Sequence, residues 1–212
     1  MPFPTEFLVD TANDLRVRFY EGLLQSLEKY VRSGTIRDKE NVVSKLSSLV
    51  KEIKYSYLEP SEIISTYGER VDELASALDQ IPVSSDAVRR FVRFVVEELR
   101  DFPRKFSRSI QEPFQVFRYA IVDVVGVSKH PTLQNLRVTR VRDQNGNVYT
   151  VVTNIANVKE GMRAAVVFLP PRAFEGVWSE AMFIKVGIEG PEDLSVKELR
   201  ELNAHYYRII SF

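Results

Sequence analysis

The sequence predicts an α+β protein, in which an N-terminal all-α helical bundle is followed by a five-stranded β-barrel and a C-terminal helix. Three observations lead to this prediction. Apolar residues recur at helical spacing up to about Gln111, short segments rich in β-branched and aromatic residues follow, and helical spacing returns after Pro191. We therefore divide the 212 residues into a helical domain at 1–112, a barrel domain at 113–187 and a helical tail at 188–212.

Four apolar stripes predict four main helices in the first domain. The stripes cover residues 19–30, 42–53, 64–78 and 88–102. Gly34 is expected to end the first helix, while Ser61 and Ser85 are expected to cap the third and fourth helices at their N-termini. Pro82 and Pro103 interrupt the pattern, because proline breaks a continuing helix. Short connections of this kind favour an antiparallel bundle.

Five short segments predict the strands of the second domain. They read "FRYAIVDVVGV", "LRVTRVRD", "NVYTVVTN", "RAAVVFL" and "AMFIKVG". Asn145-Gly146 lies between the second and third, and this dipeptide predicts a hairpin with a type I′ turn. The segment "IANVKEGM" before the fourth strand has room for one helical turn. Five strands of this length suit an oligonucleotide-binding (OB) fold, which is a small five-stranded barrel.

Composition excludes several classes of site. The chain has no cysteine and two histidines 75 positions apart, so disulfides, thiol nucleophiles and a histidine-based metal centre have no residues to form them. We expect no metal and no cofactor. His130 precedes Pro131, which favours extended backbone and a structural role in a turn, and no spacing places a catalytic partner beside it. We therefore expect that the protein is not an enzyme.

The charge is distributed unevenly along a chain whose formal net charge is zero. Residues 113–187 hold nine basic and five acidic side chains, whereas residues 1–112 hold 17 basic and 19 acidic ones. An anionic partner is therefore expected at the barrel. No apolar run approaches the ~20 residues of a membrane span, and the N-terminus lacks the features of a signal peptide, so we expect a cytoplasmic protein.

Three motifs in the barrel region point to a family. They are "VVGVSKHPTLQNLRVTRV", "TVVTNIANVKEGMRAAVVFLP" and "FEGVWSEAMFI". In this order and spacing, over residues 116–187, the chain resembles the tRNA-binding domain of methionyl- and phenylalanyl-tRNA synthetases. The same module occurs in endothelial monocyte-activating polypeptide-like proteins and in a bacterial secretion chaperone. One departure is Ala181, which stands where the family has glycine and places a Cβ where RNA could approach closely.

The resemblance and the strand pattern together give a set of candidate RNA contacts. Alternation places Arg140 and Arg142 on one face of a strand and Arg137 with Thr139 on the other. Guanidinium groups on this strand suit phosphates, while the resemblance implies that Ser179 and Met182 lie near RNA. The expected RNA-binding residues are Lys129, Asn135, Arg137, Arg140, Arg142, Ser179 and Met182.

These residues favour a non-catalytic protein that recognises tRNA or other structured RNA by shape and phosphates. The helical domain is expected to recruit a protein partner, with an aminoacyl-tRNA synthetase as one possibility. An alternative is a chaperone-like peptide-binding protein related to the secretion chaperones of the family. A catalytic synthetase fragment is disfavoured, since no nucleotide-binding loop is visible.

Two further features lie outside the barrel motifs. The basic run "RRFVRFVVEELRDFPRKFSR", residues 89–108, is either a solvated helix face balanced by nearby acids or an auxiliary phosphate-binding surface, and we favour the solvated face. The tail carries an apolar stripe that includes Leu194, Leu199 and Leu202. Such a stripe packs on another surface, and three arrangements are open: a dimer interface, a tail that takes the place of the second copy, or packing on the helical domain. Of these we expect a homodimer with the tail near its interface.

Overall fold

Helices occupy the first part of the described chain and strands occupy the second. The coordinates, a computed structural model, describe residues 9–188. These residues divide into two compact units between Val116 and Phe117. The predicted α+β class, with helices before a five-stranded antiparallel sheet, is confirmed. The expected C-terminal helix lies outside the described residues.

The helical unit contains the four predicted helices and one additional short helix. These are α1 (Leu15–Arg32), α2 (Val42–Lys54), α3 (Pro60–Asp79), α4 (Asp86–Arg100) and α5 (Phe102–Phe106), with short 3-10 helices at Thr11–Asn13 and Pro113–Val116. No helix within residues 9–188 combines the length and the hydropathy of a membrane span.

The helix ends agree in part with the predicted caps. Gly34 follows the end of α1 with a φ of +74°, and Ser85 is the N-cap residue of α4. The prediction that Ser61 caps α3 is wrong, because Glu59 occupies the N-cap position and its backbone N–H donates to the carboxylate of Glu62 over 2.9 Å. Pro60 begins the helix, where its missing N–H has no intrahelical partner to lose.

An ion pair lies in the interior of the helical unit. The Nζ of Lys105 is 2.9 Å from Oε2 of Glu98, and both side chains are fully buried. The same ammonium donates to the carbonyl of Val116 and lies 4.8 Å from the ring centroid of Phe19. The hydroxyl of Tyr20 donates to the carbonyl of Glu98 over 2.8 Å. These contacts connect α1, α4 and α5.

The second unit contains five antiparallel strands in the order β3-β2-β1-β4-β5. The strands are β1 (Tyr119–Lys129), β2 (Arg137–Asp143), β3 (Val148–Thr153), β4 (Arg163–Phe174) and β5 (Val177–Val186). The outer strands β3 and β5 meet through side chains. The backbone N–H of Val152 donates to the hydroxyl of Ser179, and the N–H of Thr150 donates to the carboxylate of Glu180, each over 2.9 Å. These bonds close the sheet into a barrel.

Two predicted details of the barrel are wrong. The β2–β3 hairpin forms, but Gly146 has a positive φ and Asn145 does not, so its turn is not type I′. The carboxylate of Asp143 instead accepts bonds from the N–H groups of Asn145 and Asn147, which favours a longer loop. The segment before β4 forms turns rather than a helical turn, and it is joined to β1 by bonds between Val124 and residues 161 and 162.

Candidate nucleic-acid interface

Strand β2 separates its side chains as the alternation predicts. Thr139 and Val141 are buried, and the hydroxyl of Thr139 donates to the carbonyl of Val151. Arg140 and Arg142 are exposed, while Arg137 at the start of the strand is half-buried. The strand therefore anchors itself through small inward side chains and presents two guanidinium groups to solvent.

The register of β1 and β2 brings two cations together. Lys129, the last residue of β1, is directly opposite Arg137. Like charges directly opposite one another on antiparallel strands destabilise the pairing. A phosphate bound between the two side chains removes this repulsion, so this end of the sheet favours an anion.

Further along β2, the two exposed arginines have different surroundings. Arg140 lies between Gly126 of β1 and Thr150 of β3, with no charged neighbour directly opposite it. Arg142 lies opposite Asp123, whose carboxylate also lies 3.8 Å from the guanidinium of Arg163. The cations span the length of β2, about 17 Å from the first to the last at ~3.3 Å per residue.

The basic side chains of β1 and β2 differ from those of the helical unit in their pairing. Within residues 9–188, Lys129, Arg137, Arg140 and Arg142 form no ion pair and no side-chain hydrogen bond. In the basic run 89–108, by contrast, every basic side chain has an intramolecular partner, which is an acidic group for six of them and the carbonyl of Val83 for Arg89. This pairing agrees with the solvated-face interpretation for the exposed members of the run, but that interpretation is wrong for Lys105, whose side chain is fully buried.

The loop between β1 and β2 is ordered by His130. The residue is 4% exposed, its Nδ1 lies 3.0 Å from the backbone nitrogen of Leu133, and its Nε2 lies 2.9 Å from the carbonyl oxygen of Phe174. Since an amide can only donate and a carbonyl can only accept, Nδ1 is the acceptor and Nε2 carries the hydrogen. Asn135 is exposed in the same loop. The structural role expected for His130 agrees with this geometry.

Ser179 and Met182 have different surroundings on β5. The Ser179 hydroxyl is buried, accepts from Val152 N–H and donates to the carbonyl of Ala181 over 2.9 Å. Met182 is half-buried and pairs with Val167 of β4. Ala181 is 5% exposed and alternates with the outward side chains, so the expectation that its Cβ narrows the approach of RNA is wrong.

The last part of β4 carries an exposed basic residue that was not among the predicted RNA contacts. Strand β4 continues past Pro170 and Pro171 to Phe174, whereas the sequence pattern ended it at Leu169. Arg172 is exposed on this extension, and its guanidinium carbon lies 5.4 Å from the ring centroid of Phe174. The arginine could have been predicted as an RNA contact from its charge, but the two prolines before it indicated that the strand had ended.

A match to a family model supports the interpretation of the motifs. Residues 120–202 match the family model described as a putative tRNA binding domain. Among solved structures, a MetRS-related protein from Pyrococcus horikoshii is 28% identical over 42% of this chain and 95% of that chain, with a TM-score of 0.33. No curated protein matches the chain. The expected resemblance is confirmed for the barrel region, which matches the tRNA-binding domain family model.

Proposed function

We propose that this tRNA-binding domain holds tRNA without catalysing a reaction, mainly through phosphate contacts along β1 and β2. The observation that carries the proposal is the group of cations on these strands, Lys129, Arg137, Arg140 and Arg142, which have no ion-pair partner among the described residues. We call this group the β1–β2 cation row. Cations without an ion-pair partner attract a polyanion more strongly than internally paired ones do.

The proposal assigns different parts to the predicted residues. Arg140 and Arg142 contact phosphates from the outer face of β2, and guanidinium groups do so with two parallel hydrogen bonds. Lys129 and Arg137 hold one further phosphate between the paired strand ends. Asn135 is accessible for hydrogen bonds to ribose or base. Ser179 is assigned to barrel closure instead, since its hydroxyl is used on both sides.

Charge reversal on β2 tests the proposal. The full-length chain and the double variant Arg140→Glu/Arg142→Glu are titrated with tRNA at low salt. We expect the parent to bind in the micromolar range or tighter and the variant to lose affinity by about tenfold or more for every tRNA alike, because phosphates carry no sequence information. Failure of the parent to bind tRNA contradicts the proposal, and salt-insensitive binding of unfolded peptides favours the chaperone alternative.

A matched control separates the local effect from the overall charge. Lys45 and Lys51 are exposed on α2, and neither forms an ion pair within residues 9–188. The variant Lys45→Glu/Lys51→Glu therefore changes the net charge by the same amount as the β2 variant. We expect its tRNA affinity to remain close to that of the parent. Equal losses in the two variants contradict a binding face on β2.

We further propose that the helical unit recruits a protein partner, with an aminoacyl-tRNA synthetase as the first candidate. The internal pairing of the basic run 89–108 supports this division of roles, because it leaves the phosphates of RNA to the barrel. Affinity capture with the full-length chain, followed by identification of bound proteins, tests it. A capture that yields RNA but no synthetase contradicts the proposal that a synthetase is the partner.

We also propose a homodimer, in which two basic barrels engage one tRNA and gain affinity from the linkage. Light scattering at tens of micromolar tests this part. A dimer that disappears when the chain is cut after Gly187 supports a tail-dependent interface. A monomeric parent contradicts the dimer, and a dimer that survives the cut contradicts the role of the tail.

A further inference from the structure

The ring of His130 joins two loops of the barrel that are far apart in sequence. Its Nδ1 accepts from Leu133 and, over 3.3 Å, from Thr132, both within the β1–β2 loop. Its Nε2 donates to the carbonyl of Phe174, where β4 ends and the β4–β5 turn begins. The β1–β2 loop is also closed on itself, since His130 N–H donates to the carbonyl of Leu136 over 3.0 Å.

Cations lie on both sides of this connection. Lys129 precedes His130 and faces Arg137 across the strands, at the ends of the β1–β2 loop. Arg172 is exposed two residues before Phe174, on the other side of the bond. Because an antiparallel strand advances about 3.4 Å per residue, Arg172 lies within about 7 Å along β4 of the residue that the imidazole holds.

We infer that His130 is a positioning residue for RNA, whose bond to Phe174 fixes Arg172 relative to Lys129 and Arg137 so that the three cations form one phosphate-binding surface. The inference rests on the proposed function and adds β4 to its binding face. Arg172 belongs to no ion pair within residues 9–188, so its charge is available to a phosphate. A preorganised surface binds more tightly because the loops do not have to be ordered during binding.

The two bonds of the ring explain why a histidine suits this position. The side chain has to accept a bond from its own loop and donate a bond to β4 at the same time, and a neutral imidazole does both from one rigid ring. An asparagine places its amide oxygen near the position of Nδ1 but does not reach β4. A glutamine places its amide nitrogen near the position of Nε2 but loses the acceptor.

These two substitutions separate the effect of the bonds within the β1–β2 loop from the effect of the bond between His130 and Phe174. We expect His130→Asn to keep the β1–β2 loop and to weaken tRNA binding by about five- to tenfold, the scale of one lost hydrogen bond or phosphate contact. His130→Gln is expected to retain more of the parent's affinity, because its amide N–H still reaches the carbonyl of Phe174. Affinities are measured on full-length proteins at a temperature where urea unfolding finds each variant folded.

A double-mutant cycle with Arg172→Ala tests whether His130 acts through Arg172. We expect Arg172→Ala alone to weaken binding by about five- to tenfold, and His130→Asn to add less than about twofold in that background. Additive losses overturn the inference, as does unchanged affinity in His130→Asn when Arg172→Ala weakens binding; in both cases the proposed function stands. If the parent binds no tRNA, the proposed function fails and the inference fails with it.

Discussion

The closure of the barrel predicts a specific cost for Ser179→Ala. The hydroxyl of Ser179 is the acceptor for Val152 N–H and the donor to Ala181 C=O, each over 2.9 Å. Val152 and Ser179 are 8% and 9% exposed, so water does not replace the lost partner freely. Alanine fills almost the same volume as serine, and the substitution therefore removes the bonds without disturbing the packing.

The magnitude follows from the group left without a partner. A buried N–H that loses its acceptor costs about 1–3 kcal/mol, so we expect the free energy of unfolding of the barrel to fall by about 2 kcal/mol. Ser128→Ala is the matched control, because Ser128 is exposed on β1 and its bond to the carbonyl of Val138 is long, at 3.4 Å. We expect this control to change stability by less than about 0.5 kcal/mol.

Tryptophan fluorescence during urea unfolding measures the effect on the barrel alone. The chain has one tryptophan, Trp178, and it lies on β5 beside Ser179. Ser179→Ala should shift the midpoint to lower urea, whereas its tRNA affinity below the transition should match that of the parent. Equal midpoints for Ser179→Ala and Ser128→Ala refute the closure, and a loss of tRNA affinity in the folded variant refutes the assignment of Ser179 to structure.

Three other predictions concern the helical unit. Lys105→Met leaves the buried carboxylate of Glu98 without its partner. We expect the free energy of unfolding, measured with urea by circular dichroism, to fall by about 3–5 kcal/mol. Adding Glu98→Gln to the same chain should partly restore it. Burial, followed by the charges of Glu98 and Asp101, raises the pKa of Tyr20 well above 10.0. The contribution of this pKa shift to the free energy of unfolding is therefore complete below about pH 10 and falls as the pH rises further, since the tyrosine ionises first in the unfolded chain. The urea midpoint of Tyr20→Phe should decline less between pH 9 and pH 11 than that of the parent. Residues 1–116, expressed alone, should give a cooperative helical unfolding transition, and a disordered fragment would contradict an independent helical unit.

The sequence contained most of the local structure of both units. Apolar spacing predicted helices α1 to α4, because each buries one stripe of side chains against its neighbours. Alternation on β2 separated Arg140 from Thr139 for the same reason. Caps were less predictable, since Glu59 and Ser61 are both capable of starting α3 and only the path of the chain before Pro60 selects between them.

The parts that the sequence did not predict depend on distant contacts. Ser179 is a polar residue in a motif that the resemblance places near RNA, so the sequence suggested a surface contact. Its role in barrel closure becomes visible only where β3 and β5 meet. The connection between His130 and Phe174 joins residues 44 positions apart, and no local pattern indicates it. Arg172 was missed because Pro170 and Pro171 lie within β4, where the sheet register shifts between Phe168 and Arg172. Such a shift tolerates prolines that a regular ladder excludes.

The salt dependence of tRNA affinity tests the central claim, that the β1–β2 cation row holds the phosphates. The logarithm of the association constant is measured against the logarithm of salt concentration for the parent and for Lys129→Ala/Arg137→Ala/Arg140→Ala/Arg142→Ala. Each phosphate contact contributes about 0.7–0.9 to the slope, and the four cations hold three phosphates, so their loss should flatten the slope by about 2 to 3. A variant whose slope equals that of the parent contradicts the claim, because the phosphates are then neutralised elsewhere.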